Sequence, residues 1–414
     1  MKKRKRRIIF GIVIFTVLML LVCFNFDSLS GLIKQNSKTN KPAVTVEGVK
    51  YDELQIHFLE LGNKYTGDST FIKAGDIDIL IDAGSRKSSS DSIKEYVDDY
   101  CTDGKLEYVI ATHAHQDHIA GFVGNSSASA KNHKGETVEK TGLFYYYDIG
   151  TLIDFSLTSS TSQLYEDYLA AREYAVNKGT VHYTAKECFN EEKSAKRIFD
   201  LGNGIELEIL YNYYYFNTSD DENNYSVCTM INYNNHHFML TGDLELQGEE
   251  KMAEYYNGSE GKKLPHVDLF KAGHHGSKTS SNDCLLSKIT PDICCVCCCA
   301  GGSEYTSNYN NVFPTQEFIN RIAKYTDQVY VTSYYNEKEL KFKPLNGNII
   351  VSCNGKEIAL AATNNTTKLK DTAWFNEIVY IDKNKNICSG KGKEDFFTVE
   401  SKDVTPVPRR VWTE

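Results

Sequence analysis

Basic residues are the minority charge in this chain. It has 46 Lys and Arg against 55 Asp and Glu, a formal charge of −9. Six of the 46 sit in the opening MKKRKRR, so the remainder carries 40 against 55, or −15. A body of that sign lacks the cations on which non-specific phosphate-backbone binding rests, although a local basic groove is compatible with it. Paired Cys-x-x-Cys units at zinc-ribbon spacing are missing from the twelve cysteines, which excludes that structural metal site. Repeats with periods of roughly 20–50 residues and low-complexity tracts are missing too, which excludes solenoids and propellers. Tryptophan occurs only twice, at Trp374 and Trp412.

One long apolar run is present. IIFGIVIFTVLMLLVCF, residues 8–24, succeeds the basic cluster without a charge. As a helix it would span about 25 Å, close to a hydrocarbon core of about 30 Å. The positive cluster should stay in the cytoplasm and place the rest of the chain outside. The expected organisation is a cytoplasmic segment (1–7), a transmembrane anchor (8–26), a polar linker (27–46), a main domain (47–362) and a C-terminal extension (363–414). A signal peptide cut after Ser30 is the competing reading and would release the protein. Cys23 matches a lipoprotein site poorly, because Val22 stands where a small residue is preferred.

Five cysteines, Cys294, Cys295, Cys297, Cys298 and Cys299, crowd into DICCVCCCAGG. Neighbours on a strand point to opposite faces, so they cannot pair with one another. ICCVCCCA reads instead as an apolar strand buried on both faces, with reduced thiols.

The pattern from Leu54 onward is α/β. LQIHFLEL, STFIKAGDIDILIDAG and LEYVIATHAH read as strands, and SSSDSIKEYVDDYC as a helix. SQLYEDYLAAREYAVNK puts Leu164, Tyr168, Ala171 and Ala175 on one helical face, with Gly179 behind it. GIELEILYNYYYF reads as a strand, and YSVCTMINY and HHFMLTGD as a hairpin across Asn234–Asn235. VDLFKAGHHGS is another strand, and PTQEFINRIAKY a helix with Pro314 at its first position. In the tail, EIVYID and DFFTVE suggest a small β appendage.

ATHAHQDHIAG (111–121) ends a strand with His113, His115, Asp117 and His118, a concentration of nitrogen and carboxylate donors suited to zinc or manganese. His113 and His115 can reach one ion, Asp117 and His118 a second. Other strand ends offer Asp243 in FMLTGDLE, able to bridge two ions, and His274 and His275 in KAGHHGS. Asp82 in LIDAG is placed to hold a ligand histidine from behind. His57, His133, His236, His237 and His266 lack partner motifs and read as structural or solvated.

LIDAG, THAHQDHIAG, LTGDLE and KAGHHGSKTS, in that order, resemble the motifs of the metallo-β-lactamase fold superfamily. They are most similar to the hydrolase domain of the competence protein ComEC and its stand-alone relatives. FLELGNKYTGDST resembles that group's opening GDS loop, with extra residues around Lys64–Thr66, and NNYSVC (Asn224, Ser226) its Asn/Ser segment. The resemblance covers about Gln55 to Leu360. It implies a four-layer αββα sandwich and two divalent ions, zinc or manganese. It assigns one ion to His113 and His115, the other to Asp117, His118 and His275, with Asp243 bridging. His274 and Lys278 are expected to serve catalysis alongside Asp117, His274 as a phosphate contact or proton donor, with the order of His274 and His275 open to reversal. Ser277 and Thr279 are suited to contact a phosphodiester. A further histidine supplied by many superfamily members has His182 as its candidate here, without the usual flanking residues. The implied function is an extracytoplasmic phosphodiesterase acting on DNA or on a cell-surface polymer such as teichoic acid, the alternative being a non-catalytic surface binding protein. No protein partner is implied.

Overall fold

Two eight-stranded sheets carry most of the β structure. The structure, a computed structural model, describes residues 50–61, 67–258, 262–302, 306–336, 339, 341–388 and 404–413. The segments expected at 1–7, 8–26 and 27–46 lie outside the described residues, as do Lys64–Thr66 and the strand expected in DFFTVE. Among the described residues no helix is long and apolar enough to cross a membrane.

The first sheet runs Ile358–Ala362, Ile349–Cys353, Leu54–Phe58, Thr70–Ala74, Ile77–Ile81, Lys105–Ala111, Asp148–Asp154, Val181–Thr184. Its last three pairings are parallel. The second runs Lys341–Pro344, Val329–Asn336, Ile293–Ala300, Leu269–Lys271, His236–Leu240, Thr229–Tyr233, Ile205–Ile209, Ile198–Gly202. Four of its strands, from Val329–Asn336 to His236–Leu240, are parallel. Parallel strands bring their C-terminal ends to one edge, where open α/β sheets carry their chemistry.

The sheets stack through a core that joins Ile56, Phe58 and Ile349 to Leu207, Phe238 and Leu269. Helices Ser89–Val97, Gln116–Val123 and Gln163–Asn177 cover the first sheet through Ile93, Phe122 and Tyr168. Helices Leu246–Tyr255, Asp283–Ile289 and Gln316–Ile322 cover the second through Met252, Leu286 and Phe318. Each such fully buried side chain contributes about 1.5–3 kcal/mol by leaving water.

The cysteine strand is buried along its whole length. Cys295 and Cys297 face the first sheet, while Cys294, Val296 and Cys298 face the covering helices, as a period of two requires. All eleven cysteines within the described residues are free thiols.

Local chemistry modifies two of the expected elements. The strand expected through GIELEILYNYYYF stops at Ile209, because the Asn212 side chain accepts from Tyr214 N at 3.0 Å and starts a 3₁₀ turn. Pro314 precedes its helix rather than opening it: Thr315 is the cap, its Oγ1 accepting from Phe318 N at 3.3 Å. The tail forms a two-stranded ribbon of Ile378–Ile381 and Thr405–Pro408. Trp374 and Phe375 bury themselves against the helices over the second sheet.

Candidate metal centre

The Lys105–Ala111 strand delivers His113, and His115 then caps the helix Gln116–Val123, leaving Asp117 and His118 in its first turn. That helix lies close to the LIDAG turn. Gly121 N donates to Ala83 O at 3.1 Å, and a Cβ on Gly121 would stand 2.2 Å from the same oxygen.

Asp82 organises His118 from behind. Its carboxylate accepts from Thr112 N and Thr112 Oγ1, both at 2.8 Å, and lies 2.7 Å from His118 Nδ1. With Nδ1–H committed there, His118 Nε2 faces Asp243 Oδ2 at 3.2 Å. Asp243 stands after a tight turn at Gly242, φ +54, and its N–H donates to Ser226 Oγ at 3.0 Å.

The two histidines after Leu269–Lys271 are separated by their hydrogen bonds. His275 Nδ1 is 2.8 Å from Cys297 O, an acceptor, so its Nε2 is turned to Asp117 Oδ2 at 3.2 Å and Asp243 Oδ2 at 3.5 Å. His274 is partly exposed, with Nδ1 3.0 Å from Glu245 Oε1 and Nε2 3.9 Å from Asp243 Oδ2. Both hold left-handed backbone, φ 43° and 56°, a strain found where side chains must be aimed.

Asp117, His118, Asp243 and His275 thus offer ligand atoms that all lie within 4.8 Å of one another. His113 and His115 form a neighbouring pair, Nε2 to Nδ1 at 3.0 Å, with His113 Nδ1 3.1 Å from Thr112 Oγ1. Asp243 Oδ1 is buried without a hydrogen-bond partner. Buried imidazoles and carboxylates around such an oxygen fit one or two divalent cations. In the metal-free protein burial works to discharge His118, yet Asp243 and Asp82 hold its pKa well above the ordinary range. Burial likewise opposes ionisation of Asp243, and His118 and His275 overcome it.

His182 and Lys278 stand apart from these groups. His182 Nε2 is 2.8 Å from Asp154 Oδ1, a carboxylate that also takes Arg172 Nη1 at 2.8 Å. Lys278 is exposed, its Nζ 2.9 Å from Asn311 Oδ1. Of the remaining histidines, His57 is buried between Tyr96 Oη (2.8 Å) and Gln55 Oε1 (3.0 Å), and His236, His266 and His133 lie beside Asp268, Asp292 and Asp148.

Sequence reasoning gave no role to Lys271 or Glu245, and none to Asp68 beyond its place in the GDS loop. Asp68 is ion-paired with Lys271, both almost wholly buried, and lies 3.2 Å from His275 Nδ1. Burial opposes ionisation of Asp68, but Lys271 and His275 hold its carboxyl below the ordinary range. The readable signal was a lysine inside the apolar run of VDLFKAG, which needs a buried counter-charge.

Comparison with known proteins finds matches to parts of the chain. Residues 62–173 match the Metallo-beta-lactamase superfamily. Recombination protein 2 of Haemophilus influenzae is 26% identical over 122 residues, 29% of this chain and 14% of that protein. Competence protein ComA of Neisseria gonorrhoeae is 31% identical over 84 residues, 20% of this chain and 10% of that protein. The chain thus matches about a seventh and a tenth of the length of these two relatives. Among solved structures, the metallo-beta-lactamase fold protein YhfI from Bacillus subtilis aligns with a TM-score of 0.34 and 13% identity, covering 59% of this chain and 85% of that one.

Proposed function

We propose that this chain, an α/β metallo-β-lactamase-fold hydrolase similar to the ComEC-type competence proteins, is a metal-dependent phosphodiesterase working outside the cytoplasm. The observation that carries the reading is the meeting of Asp117, His118, Asp243 and His275 within 4.8 Å, beside the His113–His115 pair. His113 and His115 would hold one divalent ion and Asp117, His118 and His275 another, with Asp243 between them; zinc is the first choice and manganese the second. Bound ions would lower the pKa of a water towards neutrality and offset charge developing at phosphorus.

The protein's own groups do the rest. Asp82 and the Cys297 carbonyl fix the tautomers of His118 and His275, so that both Nε2 atoms stay turned inward. Glu245 holds His274 Nδ1–H, which leaves His274 Nε2 on the side of Asp243 to carry a proton to the leaving oxygen. In this reading the exposed Lys278 and the hydroxyl of Thr279 would contact substrate rather than metal, with the buried Ser277 supporting Thr279 at 2.8 Å. The basic and apolar residues 1–26 supply the anchor in this reading, with the catalytic domain (47–362) and its C-terminal extension (363–414) outside the membrane.

Two substrate classes share this chemistry. The names of the competence relatives favour nucleic acid; the acidic body of the chain favours a cell-surface polymer with small headgroups. The test is metal content of the purified full chain, then hydrolysis of bis-p-nitrophenyl phosphate with Zn²⁺ or Mn²⁺. His118→Ala and Asp243→Ala should lose metal and at least a hundredfold in kcat/KM. Stoichiometric metal with no hydrolysis of any phosphodiester would leave a surface binding protein as the reading.

A further inference from the structure

The C-terminal extension reaches the neighbourhood of the metal centre through one buried charge. Arg410 is 3% exposed and directs its guanidinium N–H groups at main-chain carbonyls. Nε donates to Pro314 O at 2.7 Å, Nη2 to Val312 O at 2.5 Å and Nη1 to Arg409 O at 2.6 Å. The Tyr309 ring centroid lies 5.0 Å from its Cζ. Burial pushes its pKa down to about 10, so it stays a cation at neutral pH. Burying a charge is unfavourable unless specific bonds offset it. Holding the tail does not require one. Thr405–Pro408 is already paired with Ile378–Ile381, and Val411 exchanges two hydrogen bonds with the Gln316 side chain, at 2.8 and 2.6 Å. What Arg410 adds is a grip on residues 312–314.

That segment packs on the two histidines after Leu269–Lys271. Between the carbonyls that Arg410 holds, Phe313 O accepts from Gly301 N at 2.9 Å, so three successive carbonyls are fixed and the Phe313 side chain is aimed with them. Gly301 follows the cysteine strand, whose Cys297 O lies against His275 Nδ1. The centroid of the Phe313 ring stands 5.7 Å from that of His274 and 5.9 Å from that of His275. Two further contacts join the same stretch to the histidine turn: Thr315 N donates to Gly276 O at 2.9 Å, and Lys278 Nζ to Asn311 Oδ1 at 2.9 Å. The turn needs such support, because left-handed backbone at two successive residues with side chains persists only where the surroundings over-determine it.

We propose that the C-terminal extension is part of the active site, with Arg410 a positioning residue that holds Phe313 against His274 and His275 and so fixes the aim of both imidazoles. The inference rests on the metal-dependent phosphodiesterase reading and adds to it a residue from outside the 47–362 domain. Arg410 touches neither histidine; it acts through the carbonyls on either side of Phe313.

The test uses the metal-loaded full chain with bis-p-nitrophenyl phosphate. Arg410→Met should lower kcat per bound metal about tenfold, with KM moving less than about threefold. Arg410→Lys should lose nearly as much, since an ammonium keeps the charge but not the planar fork that spans two carbonyls. Phe313→Leu should match the loss, and the double variant should fall no further, as for groups that act as one unit. On the metal-free chain with labelled histidine, Arg410→Met and Phe313→Leu should shift the same two imidazole C–H resonances, because both remove the Phe313 ring from its place. Tyr309→Phe takes away only the 2.7 Å bond from Tyr309 Oη to Pro408 O and serves if Arg410→Met does not fold. It should move kcat the same way, by about two- to threefold. Unchanged kcat per bound metal, additive losses or unmoved histidine resonances would make Arg410 an anchor for the tail alone and overturn the inference while the phosphodiesterase reading stood. A wild type unable to cleave the reference ester would remove that reading, and the histidine resonances would then decide the positioning by themselves.

Discussion

Lys271 and Asp68 hold opposite charges in the interior behind His275. Lys271→Met leaves the Asp68 carboxylate without its main counter-charge, and the loss should be about 3–5 kcal/mol, read as a lower urea midpoint. Adding Asp68→Asn should recover more than half of it, because the stranded charge is gone. Asp82→Asn loosens His118 without opening a cavity, so metal affinity measured against a chelating dye should fall about 10–100-fold. The metal-free protein should also be less stable, by about 1–3 kcal/mol, because the amide cannot accept from Thr112 and His118 together. His57 gives the clearest pH signal. Burial, with Lys73 adding to it, pushes its pKa down to about 3 from 6.5. The folded protein therefore keeps it neutral while the unfolded chain takes up a proton. Its contribution is complete above pH 6.5 and is lost at about 1.4 kcal/mol per pH unit as the pH falls towards 3. His57→Gln should flatten that part of the stability curve. Of these residues Asp82 was legible from LIDAG alone. For Lys271 only the need for a buried counter-charge was legible, and for Glu245 nothing, because their partners Asp68 and His274 are brought near only by the fold.

At the scale of elements, the strand and hairpin patterns were legible because each carried its own punctuation: Gly75 between Thr70–Ala74 and Ile77–Ile81, and Asn234 with φ +56 between Thr229–Tyr233 and His236–Leu240. The helix Gln163–Asn177 was legible from its apolar spacing, and Tyr168, Ala171 and Ala175 are its buried face. The short strands Asp148–Asp154 and Val181–Thr184 escaped because half-exposed residues such as Thr151, His182 and Tyr183 give no clean alternation. The closeness of the ligand helix to the LIDAG turn was also hidden, since a glycine declares freedom but not its neighbour. Gly121→Ala would drive a methyl group to within 2.2 Å of Ala83 O unless the helix shifts. The expected destabilisation is about 3 kcal/mol, with a weakened metal site, checked by thermal melting and metal titration of one preparation.

For the whole molecule, the α/β order and the donor-bearing strand ends were readable in sequence, because parallel strands announce their C-terminal ends through motifs such as THAH and KAGHHG. An acidic groove was not readable: Asp220, Glu245 and Glu317 are far apart in the chain and line it together only after the second sheet and its helices have packed. The cysteines give a test at this scale. Nine of those described are buried and two are partly exposed. Burial pushes the Cys101 and Cys188 thiols up to about 12 and the thiols of Cys295, Cys297 and Cys298 well above their usual range. Iodoacetamide at pH 8 should leave these nine unlabelled in the folded protein and modify them all in urea, as mass spectrometry of the peptides would register.

The pairing of Leu54–Phe58 with Ile349–Cys353, in the register Leu54↔Cys353, also sets a timetable. During synthesis about three hundred residues must emerge before that strand meets its second neighbour, and a closure so distant in sequence is slow. Meanwhile LQIHF presents a bare, mostly apolar edge, the kind of edge that recruits other chains. A newborn molecule should therefore depend on a chaperone, or on dilution, until the ribosome has passed Cys353.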